Sequence, residues 1–130
     1  FCVVRNPWDR AVSLFYWQKQ LSPRLPETLT FEDFLTQASP DILTNTSIYM
    51  LGNKPAVDRF IRFENLKEEW PELLDSLGLE RVDLPRAKSY SRKNREHYSL
   101  MYDESSISLI AKHCHWEIDR FGYEFEDKRQ

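Results

Sequence analysis

Glycine is scarce in this chain. Gly52, Gly78 and Gly122 are the three among 130 residues, and they lie far apart. That spacing leaves no glycine-rich loop whose backbone N–H groups could cradle a phosphate. Cysteine is limited to Cys2 and Cys114, both set in apolar patterns. They read as buried thiols, and two of them do not settle the redox compartment. No apolar run approaches the roughly 20 residues of a membrane span. Positive charge is not in excess: the formal net charge is −3, which argues against nucleic-acid binding by bulk charge. There is no internal repeat and no low-complexity tract. An apolar content of 41% with 14% aromatics excludes a disordered chain. An initiator Met and a signal-peptide pattern are also missing. Phe1 to Val4 read instead as a short apolar strand, of the kind buried on both faces of a parallel sheet. The expectation is the back part of a larger domain.

What is present starts with "FCVVRNPWDRAVSLFYW". A helix is predicted with Asn6 as N-cap, Pro7 at its first position and Asp9 in its first turn. Trp8, Ala11, Val12 and Phe15 share its apolar face, widened by Leu14, Trp17 and Leu21; Pro23 and Pro26 end it. "TLTFEDFLTQAS" predicts a short helix capped by Thr30, with Glu32 and Asp33 in its first turn. Residues 41–54 read as irregular or briefly helical. "VDRFIRF" alternates and predicts a second strand over 57–63. The next segment, "ENLKEEWPELLDSLGL", predicts a helix that ends at Leu77 with Gly78 as its left-handed stop. Pro71 either restarts or kinks it, and Leu73, Leu74 and Leu77 face the core. The last helix is predicted to start at Asp103, to bury Ile107, Ile110, Ala111, Cys114 and Ile118, and to stop at Gly122. The order of elements indicates an α/β domain, mostly helical with a few parallel strands, much of whose sheet lies outside this sequence.

Arg5 ends the first strand and Ser13 follows eight residues later. Asn6 to Ser13 spans two helical turns, about 10 Å along the axis. An anion along the side of those turns could meet the Ser13 hydroxyl, and the Arg5 fork could clamp it from the strand end. Ligands of α/β sheets bind at the carboxyl ends of strands, which suits this place. The alternative is an Arg5–Asp9 pair with Ser13 as an ordinary helix serine.

"VVRNPWDRAVSLFYW" resembles the 3′-phosphate-binding segment of sulfotransferases that use 3′-phosphoadenosine 5′-phosphosulfate (PAPS). In that superfamily a strand ends in Arg, and a Ser eight residues later shares the 3′-phosphate with it; Arg5 and Ser13 match. "RFENL" at residues 62–66 and "YDESSISLIAKHCHWEIDRFGYEF" resemble later landmarks of the carbohydrate type, the group of heparan and chondroitin sulfotransferases and bacterial homologues. The resemblance implies a P-loop NTPase-like sulfotransferase fold, here incomplete. It lacks the first strand and the loop for the 5′-phosphosulfate, because no Gly precedes a Lys-Ser or Lys-Thr pair. It also implies transfer of a sulfuryl group from PAPS to a hydroxyl or amine acceptor, expected to be a carbohydrate. The catalytic residues, the general base among them, are expected upstream of Phe1. No metal, nucleic-acid partner or membrane segment is expected.

"RAKSYSRKNR" carries Arg86, Lys88, Arg92, Lys93 and Arg95 with no acid, a local positive patch in an otherwise acidic chain. It resembles the late sulfotransferase loop that closes over the nucleotide, which makes Lys88, Ser91 and Arg92 candidate donor-binding residues. The alternative is a solvated surface loop. His113 and His115 point to different faces of a helix and, with Cys114, make no convincing metal triad. "NTSIYM" stands where many relatives carry Pro-Gln before an aromatic residue. Trp17 and Tyr49 suit either an acceptor cleft or the core, with core favoured. Two rival functions remain: a P-loop nucleotide kinase-like phosphotransferase and a non-catalytic helical interaction module.

Overall fold

A computed structural model describes residues 1–85, 92 and 95–130. The chain enters through β1 (Cys2–Val4) and turns at Asn6 into α1 (Pro7–Leu21). The expectation of a buried strand over Phe1 to Val4 needs correction. Phe1 lies outside the strand and is 55% exposed, and Val3 is exposed as well; Val4 alone of the four is buried. The reason is the pairing of β1, which among the described residues is bonded by a single short strand that begins opposite Cys2. Phe1 precedes that ladder, and its ring meets Trp70 edge-on at a centroid distance of 6.1 Å. The turn after β1 is made as the local chemistry requires. Asn6 Oδ1 accepts hydrogen bonds from the backbone N–H groups of Trp8 (3.1 Å) and Asp9 (3.3 Å), and Pro7 takes the position where no donor is needed. Trp8, Ala11, Val12 and Phe15 are buried. Leu14 and Trp17 are half-buried, but Leu21 is 58% exposed, because the last turn of α1 runs past the core.

α2 (Phe31–Gln37) opens with a reciprocal cap. Thr30 Oγ1 accepts from Asp33 N at 3.1 Å, and Asp33 Oδ2 accepts from Thr30 N at 3.3 Å. α3 (Pro40–Leu43) and α4 (Thr46–Tyr49) are single turns, followed by the short antiparallel pair β2 (Met50–Leu51) and β3 (Lys54–Pro55). The next strand, β4 (Phe60–Arg62), is shorter than the alternation suggests. Among the described residues it pairs with β1 alone, in parallel, with Cys2 opposite Phe60 and Val4 opposite Arg62. Three pairs are all that β1 offers, so Phe63 already begins a 3-10 turn (Phe63–Asn65). A parallel pair needs a long crossover, which residues 5–59 supply.

α5 (Leu66–Ser76) runs through Pro71 without a break. It packs on β4 and buries Leu73 and Leu74. Leu77 is 55% exposed, contrary to its expected place in the core, because it already belongs to the cap. Gly78 takes a φ of +67°, which a side chain would strain. A second 3-10 turn (Tyr98–Met101) leads to α6 (Glu104–His113) and α7 (His115–Phe121). The apolar spacing predicts one helix here, and the structure has two. The backbone leaves helical geometry at Cys114 (φ −107°, ψ 22°), and the thiol there donates to the Leu43 carbonyl at 3.3 Å.

The main core lies between α1, α2, α3 and α6 and is rich in rings. Phe15, Phe31, Phe34 and Tyr102 meet edge-on or tilted at centroid distances of 5.0–5.5 Å. About half of the chain is helical, with one parallel strand pair among the described residues, so the structure is mixed α/β. Among those residues no helix is long and apolar enough to cross a membrane.

Candidate functional site

The end of β1 is held from four directions. The Asn6 backbone N–H donates to Glu64 Oε1 at 2.6 Å. The Asn6 side-chain amide donates to the Glu124 carbonyl (3.2 Å) and, at 3.5 Å, to Tyr98 Oη. Tyr98 Oη also accepts from Glu126 N at 2.8 Å. Tyr123 donates to Glu64 Oε2 at 3.0 Å, and Tyr102 donates to the Trp8 carbonyl at 2.7 Å. Burial and the adjacent Glu64 carboxylate push the Tyr123 phenol above its ordinary value. The "RFEN" and "GYEF" segments thus serve as a brace for the β1–α1 turn, a role that no local pattern in them announces.

On that braced turn sits Arg5. Its Nε donates to Asp9 Oδ2 at 2.7 Å, and its Nη2 lies 2.6 Å from the same oxygen. The guanidinium also rests 4.2 Å from the centre of the Phe63 ring. Asp9 Oδ1 accepts from Arg92 Nη1 at 2.9 Å, and Arg92 Nη2 donates to the Glu96 carbonyl at 2.7 Å. Arg5 Nη1 and the Ser13 hydroxyl make no hydrogen bond to a described residue. Both remain as donors for an incoming anion.

Beside this trio opens a cleft of about 310 Å³, lined by Asn6, Asp9, Glu64, Arg92, Arg95, Glu96, His97, Tyr98 and Glu126. Of the five expected donor-binding residues, Arg92 lines the cleft; Arg5 lines the smaller cavity described next and is joined to the cleft by its pair with Asp9, which lines it. Ser13, in the second turn of α1, lines neither this cleft nor the smaller cavity described next. Lys88 and Ser91 lie outside the described residues.

The smaller cavity, about 10 Å³, lies under Arg5 between Val4, Arg10, Asn45, Tyr49, Cys114 and Glu117. Glu117 is 6% exposed, and sequence reasoning missed it. Its Oε1 accepts from Thr44 Oγ1 (2.7 Å) and Asn45 N (3.0 Å). Its Oε2 and the Tyr49 hydroxyl are buried without a hydrogen-bond partner among the described residues. Arg10 donates to the carbonyls of Leu43 (2.7 Å) and Ile42 (3.2 Å), and burial pulls its pKa below the ordinary value. Burial pushes the Cys114 thiol up to about 12, and burial together with Glu117 raises the Tyr49 phenol. "NTSIYM" is therefore anchored from below, and Tyr49, 1% exposed, is a core residue. The signal for Glu117 was its spacing from Ile110, Cys114 and Phe121, which places it on the core face of the closing helices.

His113 and His115 flank the break at Cys114, half-buried and exposed respectively. Among the described residues no group of three or more His, Cys, Asp or Glu is placed to hold a metal ion. Comparison of the chain with protein-family models, with curated proteins and with solved structures finds no match.

Proposed function

We propose that this chain supplies the 3′-phosphate-binding part of a PAPS-dependent sulfotransferase, which moves a sulfuryl group from PAPS to a hydroxyl or amine acceptor, with carbohydrate as the favoured class. The observation that carries the reading is the pair of guanidiniums gathered on Asp9 where a parallel strand gives way to an Asn-capped helix. Arg5 Nη1 and Ser13 Oγ remain available there as donors. Planar forks suit phosphate oxygens, and the end of a parallel strand is where ligands of α/β sheets dock.

PAPS, when bound, provides the activated sulfuryl group. The residues of this chain act in binding. Arg5 takes the 3′-phosphate from the strand end, Ser13 donates its hydroxyl from the second turn of α1, and Arg92 adds charge from the cleft side. Holding the 3′-phosphate selects PAPS over ordinary nucleotides and fixes the donor for in-line attack, where positioning supplies much of the rate. Lys88 and Ser91 remain part of the proposed donor site on the strength of the resemblance.

Calorimetry tests the reading. The chain is titrated with 3′-phosphoadenosine 5′-phosphate (PAP), adenosine 5′-monophosphate and ATP. PAP is expected to bind most tightly. Preference for ATP with magnesium would support a kinase-like phosphotransferase. Absence of binding by all three would support an interaction module.

A further inference from the structure

Asp9 touches two arginines from distant parts of the chain. A carboxylate serving one arginine often gives it both oxygens, yet Arg5 takes only Oδ2 here, through both Nε and Nη2. Asp9 divides its oxygens, Oδ2 for Arg5 and Oδ1 for Arg92, which lies 83 residues away. All three side chains are mostly buried, with 23%, 20% and 20% of the surface of Arg5, Asp9 and Arg92 exposed. We infer that Asp9 is a positioning residue that sets Arg5 and Arg92 side by side, so that both guanidiniums serve one phosphate. The inference rests on the donor-nucleotide reading and deepens it.

Each member of the trio is fixed from a second side. The Asp9 N–H donates to Asn6 Oδ1 (3.3 Å), and its place in the first turn puts its charge at the positive end of α1. Phe63 stacks on Arg5, and the Glu96 carbonyl holds Arg92. Two guanidiniums would otherwise repel each other and turn toward water. With Asp9 between them they stay together, and the trio keeps a net charge of +1 (two positive charges less one negative). A phosphate monoester carries about −1.5 to −2 at neutral pH, and because Glu64, Glu96 and Glu126 also line the cleft, direct bonds to the paired guanidiniums must outweigh those carboxylates.

The sign of one substitution separates positioning from bulk attraction. Asp9→Asn adds one positive charge to the trio. If attraction alone mattered, PAP would bind more tightly. If Asp9 positions the arginines, PAP binds more weakly. The expected result is about a tenfold loss of PAP affinity, little change for adenosine 5′-monophosphate, and substantial recovery in Asp9→Glu. Arg92→Ala should cost a similar factor, and the Asp9→Asn/Arg92→Ala double variant should lose less than the product of the two single losses. Equal or tighter PAP binding by Asp9→Asn, or losses that multiply, would overturn the inference.

A second measurement needs no nucleotide. In ¹⁵N spectra of the ligand-free chain, Asp9→Asn should speed exchange of the Arg5 Nε–H and free rotation of the Arg92 guanidinium. Unchanged signals from both arginines would overturn the inference. Failure of the wild-type chain to bind PAP would instead sink the nucleotide reading, and the spectra would still decide what Asp9 does.

Discussion

Asp9 and Glu117 are both carboxylates near arginine, and they are held in opposite ways. Asp9 lies at the rim of an open cleft and gives each of its oxygens to a guanidinium. Glu117 lies inside, with one oxygen on a hydroxyl and a backbone N–H and the other without a partner among the described residues. Near water, charge pairing is cheap to build and orients flexible side chains. In the interior the same charge needs fixed short-range donors, and each unmet bond costs more. The comparison separates two tasks: Asp9 arranges groups that can meet a ligand, whereas Glu117 pins a loop beneath them.

Substitutions can break the two apart. Glu117→Ala is expected to have the largest effect, lowering unfolding free energy by about 3 kcal/mol, because it strands Thr44 and the Asn45 N–H and opens a cavity. Urea unfolding measures this, and a change below about 1 kcal/mol would mean that Glu117 pins nothing. Arg5→Ala should leave the fold standing and weaken PAP binding roughly 100-fold, since a charge-assisted pair is lost. Unchanged affinity in calorimetry would remove Arg5 from the site.

Tyr49→Phe sharpens the buried side. It removes a desolvated hydroxyl that lies beside Glu117 without meeting hydrogen-bond geometry, so stability should hold or rise by about 1 kcal/mol. A comparable loss would show that the hydroxyl bonds Glu117 in solution. Ser13→Ala should weaken PAP binding only a few-fold, as a neutral hydrogen bond would.

A third carboxylate completes the series without any arginine. Asp103 caps α6, accepting from the Ser106 N–H (2.8 Å) and hydroxyl (2.7 Å), and these bonds hold it well below the usual range, at about 2. A lowered folded-state pKa means that the cap's contribution is complete above the ordinary value near 4. It fades as pH falls from about 4 toward 2. Asp103→Asn caps without titrating, so its urea midpoint should fall less between about pH 6 and about pH 2.5 than that of the parent chain. Equal falls would refute the cap as an acid-sensitive element.

The helix starts were legible because their determinants are local. Asn6 with Pro7, Thr30 with Asp33, and Asp103 each satisfy backbone groups within three residues, and all three caps form. The glycine stops at Gly78 and Gly122 were legible for the same reason. Strand length was not, because β4 ends where β1 has no further residue to offer. The exposure of Phe1 and Val3 was hidden too, since an apolar run says nothing of which strands flank it. The break at Cys114 coincides with a thiol bond to the Leu43 carbonyl, 71 residues away, and the exposure of Leu21 and Leu77 depends on what packs nearby. At the site, the Arg5–Asp9 pair was foreseen as an alternative from its spacing of four. The arrival of Arg92 on the other oxygen was beyond any local pattern.

The segment that follows Gly122 gives the first helix its bearings. The Glu124 carbonyl takes the Asn6 amide, Glu126 N reaches Tyr98 Oη, and Phe125 wedges between Trp8 and Tyr102 at 5.7 and 5.5 Å. A chain still being synthesised would expose Arg5 long before its orientation could be set. Emergence of residues 123–126 is then the event that licenses the proposed anion site, and clipping them would disarm it while sparing Arg5, Ser13 and Arg92 themselves.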